Sequence, residues 1–434
     1  MLERLQIKGK FMTSNRRTFL ASATSAATAA TFLSKADCEL RAESQAQPNR
    51  RPRIVAINSI YRLRSHAYHI AGRFIFGYSH NGFHHQPPFQ LVRMFNDQYP
   101  ADDLSKAVCA KHGIQLCDTV EQTLGGESSL DIDGILLIIE HGEYPMNDRG
   151  QILYPRFEMF QRITQVFRRS GRSVPVFVDK HLSYDHVKAI EMVRTANELK
   201  FPLMAGSSLP VTWRIPEIEP PLNTPFREGL VVFGYDRSTE EVYFFHALET
   251  LQCMMERRRG GETGVSSVTF LEGDEVWKAG DEGKWSWKLL HAAIRRCPSS
   301  NYGEVRDQVL RPQAILIEYK DGTRGAVLNL VEAVSEFAFA ATLDGQSEPA
   351  STCFFLPPPP GANFFNPLTF NIERFFAGDQ PYPVERTLLT SIILDLALGA
   401  RQSKQGSVSK EALAVQYQPP ANTGFFRGPF VDGA

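Results

Sequence analysis

From Arg53 onward, short apolar runs alternate with stretches of helical spacing. The runs are Ile54 to Ile57, Gln90 to Phe95, Gly113 to Leu116, Gly134 to Ile139 and Val174 to Val178. Unbroken apolar runs of this length suit strands buried on both faces, and helices between them suit βαβ units on a parallel sheet. Leu104 to Lys111 has helical spacing and stops at Gly113, and Thr119 to Leu124 reads as a second short helix. Arg156 to Arg169 sets Phe157, Phe160, Ile163, Val166 and Phe167 on one stripe, which predicts a helix covering the sheet. A different rhythm follows. Leu230 to Gly234, Val265 to Leu271, Ala314 to Tyr319, Gly325 to Leu330 and Glu336 to Ala341 read as strands, with Asp321-Gly322 as a hairpin turn. The pattern predicts an α/β chain. A Rossmann-type parallel sheet domain covers 53–210, and an α+β domain with a mostly antiparallel sheet and helices on one face covers 211–417. Residues 418–434 read as a surface-hugging tail.

The first residues have a separate character. Ser14 to Leu20 read S-N-R-R-T-F-L before an Ala/Ser/Thr-rich stretch to Leu33. Residues 1–36 are read as a twin-arginine export signal, with export machinery as a partner and a periplasmic or extracytoplasmic destination. The stretch is too poor in large apolar side chains for a membrane span. Residues 37–52 are polar and read as a linker. Such export carries folded proteins, which hints at a cofactor acquired in the cytoplasm. Lys plus Arg total 47 against 48 for Asp plus Glu among 434 residues, so no net field favours nucleic acid. The six cysteines are too scattered for a CxxC pair or a zinc cluster and read as buried thiols.

The turn after the first run departs from what a dinucleotide needs. A G-x-G-x-x-G turn lets the backbone approach a pyrophosphate, yet the chain reads Asn58-Ser59-Ile60-Tyr61-Arg62-Leu63, with no glycine until Gly72. Arg62 or Arg64 could pair with phosphate directly, or be ordinary loop arginines. Asp97, just past the second run, stands where an acid accepts ribose hydroxyls; Asp97-Gln98-Tyr99-Pro100 is equally good turn chemistry. The segment Phe74 to Pro88 reads as a long loop over the sheet edge. Its His80, His84 and His85 lack nearby carboxylates, so no metal site is expected. Trp277, Trp285 and Trp287 either stack on a sugar or pin a loop to its own domain.

Ser173 to Leu182 read S-V-P-V-F-V-D-K-H-L, followed by a helix carrying Ala189, Ile190, Met192, Val193 and Ala196. This resembles the Gfo/Idh/MocA family, the glucose-fructose oxidoreductase and inositol dehydrogenase group, whose strand ends in Glu-Lys-Pro. Lys180 matches the lysine, Asp179 stands for the glutamate and His181 replaces the proline. Asp131 to Ile139, Phe201 to Ser207, Asn371 to Phe376 and Pro381 to Leu398 also resemble family segments. Phe245 to Leu251 resembles the family's H-x-x-D stretch, with His246 as the histidine and Glu249 at the later acidic position. The family's earlier aspartate is absent, since Val242 stands there. The resemblance implies an oxidoreductase using NAD or NADP on a sugar or polyol hydroxyl, with Lys180 and His246 as catalytic residues. Asn58, Arg62, Asp97, Glu140, His141 and Asp179 are the candidate cofactor-side residues, and the resemblance implies a homo-oligomer built through the second sheet.

Read by themselves, the residues keep alternatives open. Histidine suits proton transfer near neutral pH, and a lysine at a parallel strand's end sits where such sheets bind ligands. Lys180 is otherwise a solvent-facing partner of Asp179, and His246 a helix histidine packed among Tyr243, Phe244 and Leu248. Glu140 and His141 follow the fourth run, beside the same crevice. The rival reading is a non-catalytic carbohydrate-binding or scaffold protein that keeps the fold and has lost dinucleotide binding.

Overall fold

A computed structural model describes residues 50–235, 240–301, 303–358 and 360–430. The segment read as an export signal and Cys38 lie outside the described residues. No helix among the described residues is long and apolar enough to cross a membrane.

The first sheet is built as its apolar runs predict. Its strands are β1 (Arg53–Asn58), β4 (Gln90–Asn96), β5 (Gln115–Cys117), β6 (Gly134–Ile138), β7 (Val176–Asp179) and β8 (Leu203–Gly206). They are parallel and ordered β5-β4-β1-β6-β7-β8, so the strand order reverses between β1 and β6. That reversal opens the crevice in which such sheets place ligands. The helices are α1 (His66–Phe76), α2 (Ser105–His112), α3 (Val120–Leu124), α4 (Arg156–Ser170) and α5 (His186–Glu198). Helix α2 ends on Gly113 at φ 66, as its glycine predicts.

The segment read as a loop over the sheet edge is different. After α1 it forms a hairpin of β2 (Tyr78–His80) and β3 (Phe83–His85). Asn81 and Gly82 both take positive φ, 52° and 80°, the geometry a two-residue hairpin turn requires. His80 stacks on Phe370, and His85 Nε2 lies 2.8 Å from Glu373 Oε2.

The second sheet adds β9 (Trp213–Ile215), β10 (Phe226–Phe233), β11 (Val265–Glu272), β12 (Gln313–Tyr319), β13 (Arg324–Asn329), β14 (Phe337–Leu343), β15 (Ala350–Phe355) and β16 (Ser407–Val408). Their order is β16-β11-β12-β13-β10-β14-β15-β9, antiparallel except for the β10–β13 pair. Helices α6 (Glu240–Met255), α7 (Asp274–Asp281), α8 (Trp287–Ile294), α9 (Val305–Gln308), α10 (Phe365–Phe376) and α11 (Glu385–Ser403) complete the chain. The expectation of helices on one face is corrected. Val231 and Phe233 pack with Phe244 and Leu248 of α6, while Leu230 and Val232 pack with Leu289 and Leu290 of α8. Successive strand residues point to opposite faces, and both faces here are apolar, so both are covered. The three tryptophans cluster with one another, and Trp285 Nε1 donates to Val276 O at 2.9 Å. They pin their own segment.

The C-terminal helices return to the first sheet. Leu368, Ile372 and Phe375 of α10 pack with Ile54 of β1 and Ile70 of α1. Leu389, Ile392 and Leu396 of α11 share a core with Met192 of α5 and Leu248 of α6. The tail is held down at Phe426, whose N–H donates to Val211 O at 3.0 Å.

Candidate functional site

Strands β6, β7 and β8 end on a cluster of buried charges. Lys180, the residue after β7, has a left-handed backbone at φ 56 and donates its N–H to Gly206 O at 3.2 Å. Its Nζ donates to Glu140 Oε1 at 2.5 Å, and Arg156 Nη2 donates to Glu140 Oε2. All three side chains are at most 4% exposed. Burial pushes the Glu140 carboxyl up, but Lys180 and Arg156 override it and hold the group well below the usual carboxylate range. Ser59 Oγ donates to the Glu140 carbonyl at 2.6 Å and fixes the turn that carries it. Beside this cluster, His66 Nδ1 sits 2.6 Å from Asp179 Oδ2.

His246 is placed by a second chain of contacts. Helix α6 brings it over the end of β8, 3.0 Å from Ser207 Oγ through Nδ1. Ser207 Oγ donates to Glu249 Oε2, and Ser207 N–H donates to Oε1 at 3.2 Å. A hydroxyl has one proton; spent on the carboxylate, it leaves only a lone pair for the imidazole. With Glu249 ionised, the proton of neutral His246 therefore resides on Nδ1, and Nε2 is bare. Burial, with Lys180 and His66 nearby, lowers His246 well below its ordinary value, while burial raises Glu249 to about 7. Gly206 permits this approach: at φ 134, a Cβ there would meet Glu249 Oε1 at 2.8 Å.

His246 borders a cavity of ≈ 210 Å³ with His66, His69, His141, Tyr235 and Tyr243. Burial, then Arg73, lowers His69 to about 3; burial, then His66, lowers His141 to about 4. The histidines with lowered values are thus neutral near pH 7. Tyr235 and Tyr243 stack with ring centroids 3.7 Å apart. A larger cavity of ≈ 380 Å³ shares Arg64 and His69 with the first.

The other candidates lie across the crevice. Asn58 is buried and donates to Asn96 Oδ1 at 3.0 Å. Asp97 accepts from Tyr144 Oη at 2.8 Å, and Arg62 pairs at 3.4 Å with Asp102. A groove of ≈ 570 Å³ runs past Ile60, Arg62, Gln98, Tyr99 and Asp102. The turn between β1 and α1 does not fit a pyrophosphate. Ile60 is 2% exposed and Tyr61 0%, and the backbone is tied down by Asp97 N–H to Asn58 O and Gln98 N–H to Ser59 O, at 2.9 and 2.8 Å. The first amide of α1, on His66, faces His141 Nδ1 at 3.4 Å.

The site thus unites Lys180 with Glu140, and His246 with His141, but sets Asn58, Arg62 and Asp97 apart. Lys180 is neither solvent-facing nor paired with Asp179; it lies behind the cavity wall. Arg156, His66, His69 and Ser207 escape the sequence reading. Only the His66 and His69 spacing, three apart on one helix face, is a usable signal.

No family model and no curated protein sequence matches the chain. Solved structures do. Similar ones include a myo-inositol 2-dehydrogenase from Lactobacillus plantarum, 11% identical over 83% of this chain and 99% of that one, TM-score 0.49. GenD2 from gentamicin A biosynthesis, in complex with NAD, is 10% identical over 84% of this chain and 97% of that one, with a TM-score of 0.53. The chain shares with GenD2 a fold in which a Rossmann-like parallel sheet is followed by a mostly antiparallel one.

Proposed function

We propose that the protein acts on a sugar or polyol in the histidine-lined cavity, with His246 as the base that accepts a substrate hydroxyl proton. The observation that carries this is the His246–Ser207–Glu249 chain on a residue bordering the cavity; when Glu249 is ionised, this chain leaves His246 Nε2 bare. The tyrosine pair beside it offers an apolar face for a sugar ring. Lys180 and Arg156 hold Glu140 charged behind the wall, so Lys180 is a positioning residue for this cluster. Oxidation of that hydroxyl would need a hydride acceptor such as NAD or NADP, for which the turn after β1 offers no pyrophosphate seat. On this reading the protein is a Gfo/Idh/MocA-like oxidoreductase, exported in the folded state.

A second reading is favoured by one observation, the filled turn after β1: a carbohydrate-binding protein that keeps the architecture and holds no dinucleotide. One experiment separates the two. The chain is purified from cytoplasm and denatured, and the supernatant is assayed for nicotinamide dinucleotide by absorbance and mass, beside thermal shifts with added NAD and NADP. Released dinucleotide, or a clear upward shift, supports the oxidoreductase. Neither one supports the binding protein.

A further inference from the structure

We infer that the ligand of the histidine-lined cavity is a sugar acid, a hexuronate, whose carboxylate is received by Arg64. This rests on the sugar reading above and names the substrate class for the same cavity.

Arg64 belongs to the lining of both cavities and is exposed where they meet. It has no ion-pair or hydrogen-bond partner for its guanidinium among the described residues. Arg53, Arg62, Arg93, Arg156, Arg162 and Arg172 of the first sheet domain each meet a carboxylate, and Arg73, beside Arg64 in the larger cavity, bonds Asn366 and backbone carbonyls. Among the described residues no aspartate or glutamate lines the smaller cavity. Arg64 also reaches its interior electrostatically, being among the groups that lower His69. A positive rim over a cavity without acidic groups selects for an anion.

Carboxylate suits the site better than phosphate. The imidazoles of His69, His141 and His246 carry no charge near neutral pH, and Arg73, the other arginine of the larger cavity, is held by Asn366 and the carbonyls of His69, Gly361 and Ala362, so among the described lining residues Arg64 offers the one unengaged guanidinium, not the several a phosphate dianion draws on. One guanidinium fork matches one carboxylate in bidentate fashion. The tyrosine pair and Phe365 then supply apolar faces for the ring.

The test is calorimetric titration of the full chain with D-glucuronate and D-galacturonate, with D-glucose and D-galactose, and with glucose 6-phosphate. At least one uronate is expected to bind about tenfold or more tightly than its neutral parent. Arg64→Asn, which tolerates the left-handed backbone at φ 66, should bring that uronate to the affinity of the neutral sugar. Arg64→Lys should recover part of the difference. Equal affinity for acid and neutral sugar, preference for the phosphate ester, or an Asn variant that binds uronate unchanged would each overturn the inference alone. Binding of no sugar, charged or neutral, overturns the sugar reading with it.

Discussion

The two halves of the crevice have been treated differently. On the β6–β7–β8 side, charged and polar groups are buried, paired and aimed: Glu140 between Lys180 and Arg156, and His246 on Ser207 and Glu249. On the β1–β4 side, Ile60 and Tyr61 fill the turn, the buried polar groups Asn58 and Asn96 are neutral and bond each other, and the charges are half-exposed, as in the Arg62–Asp102 pair. Burying charge is costly unless it is fully paired, so a buried network is retained only under tight geometric control. The β6–β7–β8 side is the preorganised one; the β1–β4 side is ordinary packing.

The largest effect that sharpens this contrast is on turnover. His246→Gln should lower it about 10²–10⁴-fold with little change in folding, measured on whichever sugar the protein acts. Equal turnover in the variant would remove the base. Next is stability: Glu140→Ala leaves Lys180 and Arg156 as buried cations without their shared anion, and should cost about 3–5 kcal/mol in urea unfolding. A loss under ~1 kcal/mol would mean the cluster is wet and unconstrained.

A smaller effect concerns pH. Burial raises Glu249 to about 7 from 4.5, so the folded chain keeps a proton that the unfolded chain releases. Its stabilising contribution is full below 4.5 and is lost as pH rises through 7. Relative to wild type, Glu249→Gln should therefore gain stability across that window, by on the order of 1–3 kcal/mol. A flat difference would place Glu249 at an ordinary value. The smallest effect lies on the β1–β4 side: Arg62→Ala should change stability by less than about 0.5 kcal/mol, since exposed ion pairs contribute little.

The sequence carried the fold further than the site. Buried parallel strands leave continuous apolar runs, so β1, β4, β6 and β7 were legible to within a residue or two. Three-residue strands such as β2, β3 and β9 leave too short a pattern, although Asn81-Gly82 is a hairpin turn signal in plain view. Lys180, His246, Glu140 and His141 were legible because strand ends and a family-like stretch point to them. Arg156 was not, because a charge at the start of an amphipathic helix reads as solvated; here it points at the strand ends and is fully buried. Ser207 has no signal at all, since its role exists only once β8 meets α6.

The most direct test of the central claim is the protonation of His246 in solution. Nitrogen-15 spectra of the histidine-labelled chain, assigned with His246→Gln, should be recorded at pH 8, above the Glu249 value. The account predicts a neutral ring with its proton on Nδ1 and a bare Nε2; a ring protonated on Nε2 would contradict it.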